Sequence, residues 1–487
     1  KPGDGVFFER GSVWYPERYM NYQVYNLSGA NGVSYGAYGE GEKPLFTCSL
    51  DFTSAGGAGR WLPTDWENVW ELDPELIDSD PAWRGVYPHG TDIGNIIFNG
   101  GEGLGVRIVP GNERSLSDSV EPSAELSPFG EGKTSYDKGY VCNGYEYYNA
   151  GVADMTNPGT ALTKNLEFIH DRVEGRLYLY FDGGNPGEYF TDIKVSRNGA
   201  AATFGNNTWV DNLTFMYSST YGAIVGEKNI KFTNCEVGYV GGSISSVESG
   251  IEAYGRTDGS YMYDNYIHDI CDGPITSQNG RSDGDKPYLI QNVEYIGNVI
   301  VACGNGAEIW NGPGPLDANG VGRDKMINIT IRDNIMAYIG YGLTQMQDTG
   351  HNREGNVICG SIYGEMVDCS VEDNLYYRVN GDVYGSYVAT YTQPRGWMAR
   401  GNTYVLNPTY ANIGYCYETL NRINHGMWKR ARVKFTSSYE GLVWYTQLGV
   451  DPVGKYYYYT DMNEHESRDC FFMTGWWAEH GGFGARR

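Results

Sequence analysis

The chain has 487 residues, 40% of them hydrophobic, and a net charge of −24. The acidity is spread along the sequence with no basic run to track a phosphate backbone, which argues against nucleic acid as a partner. No apolar stretch approaches the length of a membrane span, and 68 glycines and 42 tyrosines with little helical periodicity point to an all-β chain.

From Lys1 to about residue 50, PGDGVFFERGSVW and GVSYGAYGEGEKPLFTC set alternating apolar residues between glycine-rich turns, as short strands do. Residues from about 52 to 90, rich in Trp, Asp and Pro, and those from about 109 to 160 lose this pattern and read as long insertions leaning on the strands. LEFIHDRVEGRLYLYF at 166–181 restores strand alternation.

An asparagine then returns at the head of seven apolar segments: Asn212, Asn234, Asn265, Asn298, Asn334, Asn374 and Asn402, at spacings of 22, 31, 33, 36, 40 and 28 residues. A shortest repeat of 22 that grows by loop insertion predicts the coils of a right-handed parallel β-helix. Each coil buries its apolar edges only against its neighbours. The asparagine amides are expected to hydrogen-bond their copies along the axis, at a turn where left-handed backbone is tolerated. Glycines 222, 242, 273, 306, 342 and 381 follow at similar offsets and suggest a second register. Beyond about 411 the asparagine repeat is lost, and the aromatic tail, with YYYY at 456–459 and WW at 476–477, reads as a cap on the open end. The expected fold is therefore an all-β parallel β-helix (solenoid) over 1–410 with insertions at 52–90 and 109–160. A capping segment over 411–487 completes it.

Nine cysteines are an odd number without metal-type spacing, and Cys235, Cys271 and Cys303 fall inside coil segments, where a thiol acts as a small buried apolar group. Neither a disulfide framework nor a metal site is expected.

The opening PGD..FFERGS.W with YGAYGEGEKP (35–44), NPGEYF (185–190), NCEVGYVGGS (234–243), SGIEAYG (249–255), DGPITSQ (272–278) and GNGAEIW (304–310) resemble bacterial carbohydrate-active proteins of the pectin-lyase-like, right-handed parallel β-helix superfamily. The resemblance implies a polysaccharide or oligosaccharide ligand of plant, algal or microbial origin. One such scaffold serves hydrolases, lyases and epimerases, so it carries over no catalytic set.

The residues themselves suggest where chemistry sits. SGIEAYG with Glu252 and GNGAEIW with Glu308 are internal copies two coils apart, and DGPITSQ with Asp272 lies on the coil between. At about 4.8 Å per coil, Glu252 and Glu308 are about 9.6 Å apart at the backbone. Side-chain lean brings such a pair into the roughly 6.5–9.5 Å range of inverting glycosidases, and Asp272 offers a closer pair of the retaining kind. Tyr254 and Trp310 each follow a glutamate by two, on the same strand face, as platforms for a sugar ring. Gln278, Asn311, Gln345 and Gln347 are candidates for hydroxyl recognition, with His351 and Arg353 beside them. The leading reading is a glycoside hydrolase that needs no cofactor.

Two alternatives stay open. A polysaccharide lyase would abstract a proton beside a uronate with a basic loop residue, from Arg281, Arg323, Lys325, His351 and Arg353, with DTGHNRE (348–354) the strongest segment and Ca2+ as the ion such chemistry recruits. A non-catalytic glycan-binding surface or spike protein would use the aromatics alone. His268 and Asp269 are expected to share a structural hydrogen bond, and Asp333–Asn334 and Asp373–Asn374 to belong to ladder turns rather than to calcium. Polysaccharide substrates favour a secreted or cell-surface protein, while unpaired cysteines leave the cytoplasm open.

Overall fold

The structure is a computed structural model that describes residues 1–15, 17–19, 22–57, 60–75, 93–108, 140–142, 145–147, 161–171, 175–197, 199–243, 249–278, 289–310, 324–340, 343, 358–362, 365–377, 379, 382–388, 397–406, 412–418, 431–432 and 455–458. Its strands form three long sheets whose neighbours pair in parallel except at the two ends of the third, where Glu17–Tyr19 and Ala431–Arg432 pair antiparallel, and the chain visits the three in rotation. One circuit runs through Asp258–Tyr263 in the first sheet, Tyr266–Ile270 in the second and Ile275–Gln278 in the third. The next circuit, Leu289–Ile296, Val299–Val301 and Ala307–Trp310, pairs with it strand for strand. This connectivity is consistent with the expected β-helix.

Alternation decides which side chains fill the interior. Val210, Phe232, Met262, Tyr295, Ile331 and Val371 occupy one column of the first sheet, each registered on the next, and all are fully buried. Phe215, Val237, Ile267, Ile300, Met336 and Tyr376 form the matching column of the second sheet. A single coil has no partner for these faces, so burial comes from the stack. Cys48, Cys235, Cys271, Cys303 and Cys369 are buried and in no disulfide, as small apolar groups would be.

The asparagine ladder is real and begins later than expected. Asn265, Asn298, Asn334, Asn374 and Asn402 are buried at the turn between the first and second sheets. Each Nδ2 of the first four donates to the next Oδ1 at 2.9–3.0 Å, and each Oδ1 of the last four also accepts the preceding asparagine's backbone N–H. Asn212 and Asn234 stand one residue too early. They hold left-handed backbone, φ 61° and 51°, at the site that Asp264, Gly297, Asp333, Asp373 and Gly401 fill in later coils, and Leu213 and Cys235 occupy the ladder position. Left-handed geometry thus belongs to the residue before the ladder asparagine, where Asn, Asp and Gly are all tolerated. The proposed glycine register also fails, because Asn305 N–H donates to Asp272 O, which sets Gly273 opposite Asn305 and not opposite Gly306.

Between Leu45–Thr47 and Gly199–Phe204 the described residues include strands that lie outside the three long sheets. Trp61–Pro63 and Val69–Leu72 join Glu167–Asp171, Arg176–Tyr180 and Val106–Arg107 in a five-stranded sheet. Ile96–Phe98 pairs with Gly103–Leu104 and Ile193–Val195 in a three-stranded one. A separate core that includes Phe52, Trp61, Leu72, Phe98, Phe168, Leu179 and Ile193 lies under these strands. Residues 76–92, 109–139 and 148–160 lie outside the described part. At the other end strand pairing continues past residue 411: Asn412–Glu418 adds to the third sheet and Lys455–Tyr458 to the second, both in parallel. Apart from Ala431–Arg432, which pairs antiparallel with Asn412–Glu418, the rest of the tail expected to cap the stack, including 476–477, lies outside the described residues.

Candidate active site

The third sheet brings the expected glutamates into one column. Glu252 pairs with Thr276 and Thr276 with Glu308, so two carboxyls project from one face with one threonine between them. Neighbouring positions in the strand, Ala253 and Ile309, are buried inward, which directs Glu252 and Glu308 outward by alternation. Tyr254, Gln278 and Trp310 form the next column. Tyr254 is exposed, while the Trp310 side chain lies outside the described part.

Glu252 is outward yet only 2% exposed. Its Oε1 accepts a hydrogen bond from Gln278 Nε2 at 2.7 Å, and its Oε2 is buried without a partner. Burial pushes the carboxyl up to about 7; the Gln278 bond works against this and the Asp272 charge adds to it. Glu308, half-buried, is held well above the usual carboxylate range by burial, then by Asp272 and Glu252. The three acids therefore share one field.

Asp272 sits on the turn entering Ile275–Gln278, on the coil between the glutamates. Asn305, itself buried, donates from Nδ2 to Asp272 Oδ1 at 2.9 Å, and the Asn305 N–H donates to Asp272 O at 3.0 Å. Gly273, next in the turn, forms the floor under Glu308: a methyl carbon built there would lie 2.9 Å from Glu308 Oε2, 3.1 Å from Thr276 Cγ2 and 3.3 Å from Glu308 Cβ. Gly273 has no left-handed φ, so it is the closeness of Glu308, and not the backbone, that calls for glycine.

The inserted sheets reach this region. Asn95 Nδ2 donates to Gly241 O at 2.5 Å, and the buried Arg107 donates from Nη1 to Gly242 O. The Cys271 N–H donates to Val240 O, which places Gly241 and Gly242 one coil beneath Cys271 and Asp272. The insertion thus braces the turn below the acid cluster.

Three neighbours escaped the sequence reading. Tyr221, on the strand before Glu252, has its hydroxyl raised by burial and then by Glu252, Tyr254 and Asp272, which marks it as a neighbour of the cluster. Asn305 and the contact of Gly273 with Glu308 become visible only when the coils are in register. Aligning GNGAEIW under DGPITSQ by their glutamate and threonine would have found Asn305.

The other expected residues divide clearly. Asn311, Gln345, Gln347, His351 and Arg353 lie outside the described residues, as do Arg281, Arg323 and segment 348–354. Lys325 opens Lys325–Arg332 in the first sheet, away from the glutamate column. His268 Nδ1 lies 2.8 Å from Asp269 Oδ2, with its ring stacked on Tyr266 at 4.6 Å, a packed arrangement in the second sheet. Among the described residues no group of three or more His, Cys, Asp or Glu is arranged to hold a metal ion, and no helix is long and apolar enough to cross a membrane.

No family model and no curated protein matches the chain. Among solved structures it is similar to XylC in complex with xylose, at 14% identity and TM-score 0.38 over 85% of this chain and 59% of that one. It is also similar to a glycoside hydrolase, at 10% identity and TM-score 0.35 over 85% and 87%. A third is a GH136 lacto-N-biosidase from Eubacterium ramulus, at 12% identity and TM-score 0.28 over 86% and 62%. The chain thus spans less than two thirds of the length of the first and third. At this distance no residue or reaction is transferred.

Proposed function

We propose that the chain is a right-handed parallel β-helix glycoside hydrolase acting on a plant, algal or microbial polysaccharide or oligosaccharide. One observation carries the reading: Glu252 and Glu308 stand two coils apart in one column, with Asp272 on the turn between, and both glutamates are biased toward the protonated form. Glycosidic cleavage needs a carboxylic acid that keeps its proton near neutral pH and a second carboxylate that does not. Glu308 fits the acid, because it is half-buried over Gly273 and raised by both neighbours. Asp272 is assigned the second carboxyl, since it stands on the turn between the two glutamates and is held there by the Asn305 amide.

In this mechanism Glu308 gives its proton to the leaving glycosidic oxygen as the bond to the anomeric carbon breaks. Asp272 either takes a proton from the incoming water or attacks the anomeric carbon itself. Glu252, held at about 7, changes charge near neutral pH and so tunes how firmly Glu308 keeps its proton. Tyr254 offers an exposed ring face beside the cluster, and Gln278 an amide already oriented by Glu252. No step requires a cofactor.

The test is release of reducing ends from a panel of neutral and acidic polysaccharides by the wild type and by Glu308→Gln. The reading expects turnover of at least one neutral substrate and its loss in the variant, with unfolding unchanged. Full activity in Glu308→Gln would remove Glu308 from the acid role.

A further inference from the structure

The outer face of the first sheet carries exposed aromatic rings that the catalytic reading does not use. Phe7 is 61% exposed, Tyr38 53% and Trp209 48%, and Tyr261 and Tyr263 are half-buried on the same face. The strands stack in the order Gly5–Glu9, Ser34–Tyr38, Trp209–Asp211, Lys228–Thr233 and Asp258–Tyr263. Phe7, Trp209 and Tyr261 with Tyr263 therefore stand on the first, third and fifth strands. Trp209 registers on Lys231 and Lys231 on Tyr261, which sets these two rings about 9.6 Å apart along the axis at about 4.8 Å per strand; Phe7, two strands before Trp209, stands one column over, since Trp209 registers on Ser34 and Ser34 on Gly5.

This face is built rather than merely uncovered. Trp209 Nε1 donates to Thr233 Oγ1 at 2.8 Å, and Thr233 Oγ1 donates to Asp211 Oδ1 at 2.6 Å. Asp211 Oδ1 also accepts from Asn234 Nδ2 at 3.0 Å. The indole is thereby held in one orientation with its N–H already spent, and it can offer a ligand only its ring face. Tyr263 is braced likewise by its hydroxyl, which donates to Glu294 Oε2, and its ring lies 6.1 Å from that of Tyr261. Beneath Phe7 is Gly36, where a methyl carbon would sit 3.2 Å from the ring. Side chains fixed beforehand lose little rotamer freedom on binding.

We infer that this face is an accessory binding surface for an extended neutral glycan lying along the stack across Phe7, Trp209 and Tyr261. A sugar ring has an apolar face and a rim of hydroxyls, so a chain of them matches aromatic faces spaced apart with polar groups between. The core of a protein interface is depleted of charge, whereas here Lys231 stands in the column between Trp209 and Tyr261. The net charge of −24 opposes a polyanionic chain. The choice of a glycan rests on the reading proposed above, but the surface lies on a different sheet from Glu252 and Glu308 and can be tested apart from turnover.

The experiment is native affinity electrophoresis of the full chain, carrying Glu308→Gln to prevent cleavage, in gels containing soluble arabinoxylan, mixed-linkage β-glucan or galactomannan. Retardation is expected in at least one gel. Trp209→Ala should weaken it about tenfold, the order of one lost aromatic stacking contact with its buried area, and Phe7→Ala should weaken it less. On the wild-type background Trp209→Ala should leave turnover of a short oligosaccharide unchanged. Absence of retardation in every gel, or retardation that survives both substitutions, would overturn the inference. So would concentration-dependent dimerisation in sedimentation that Trp209→Ala abolishes, which would give the face to a second copy of the chain. Retardation lost with Trp209→Ala in a protein that cleaves nothing would uphold the surface while removing the hydrolase reading.

Discussion

Glu252→Gln should stabilise the protein near neutral and alkaline pH relative to its effect in acid. Glu252 is held at about 7 in the folded chain against 4.5 for a free glutamate, so the folded state binds this proton more tightly than the unfolded state does. Its contribution to stability is therefore fully present below pH 4.5 and is lost as the pH rises through 4.5 to 7. Above pH 7 the native state carries the whole cost of ionising a buried carboxyl, about 3 kcal/mol at about 1.36 kcal/mol for each tenfold change in proton affinity. Glutamine cannot ionise and keeps an oxygen to accept the Gln278 bond. Its new NH2 replaces the unpartnered Oε2 and adds a desolvation cost that does not vary with pH. Urea unfolding of both proteins near pH 4 and pH 8, followed by tryptophan fluorescence, separates the two effects. The difference between variant and wild type should move by about 3 kcal/mol in the variant's favour from pH 4 to pH 8. A difference that is the same at both pH values would refute the burial-driven shift and the field it sets for Glu308.

Two further substitutions test parts of the same structure. Gly273→Ala places a methyl carbon 2.9 Å from Glu308 Oε2, so the carboxyl must move; kcat should fall at least tenfold with the alkaline limb of the pH profile displaced, while the unfolding midpoint changes little, and an unaltered profile would show that the floor does not position the acid. Asn334→Ala removes donors to Asn374 Oδ1 and Tyr295 O and the acceptor of Asn298, leaving buried polar groups unpaired; a loss of about 3 kcal/mol or more is expected in thermal or urea unfolding, and a loss below about 1 kcal/mol would mean the ladder is not cooperative.

The repeat was legible because Asn265 to Asn402 do one physical job five times, each amide satisfying the next turn in a buried place where few side chains fit. It was misplaced at Asn212 and Asn234 because the left-handed residue just before the ladder also favours Asn, and spacing alone cannot separate adjacent sites. The glutamate column was legible from the two copies around Glu252 and Glu308, since equivalent positions in a stack must align. Asn305 and Tyr221 were not, because their closeness to the acids depends on how turns of different length stack. The inserted sheets escaped for another reason: Trp61–Pro63, Val69–Leu72 and Ile96–Phe98 are three or four residues long, too short to show alternation, and the last two pair with strands about a hundred residues away.

Cleavage of a glycosidic bond by water at the Glu252, Asp272 and Glu308 cluster is tested most directly by incubating the protein with a neutral polysaccharide in water enriched in heavy oxygen and weighing the products. The account predicts fragments that each gain one water, with the label at the new reducing end, and no such fragments from Glu308→Gln. Unsaturated fragments lacking the label would contradict it and assign the chain to β-elimination.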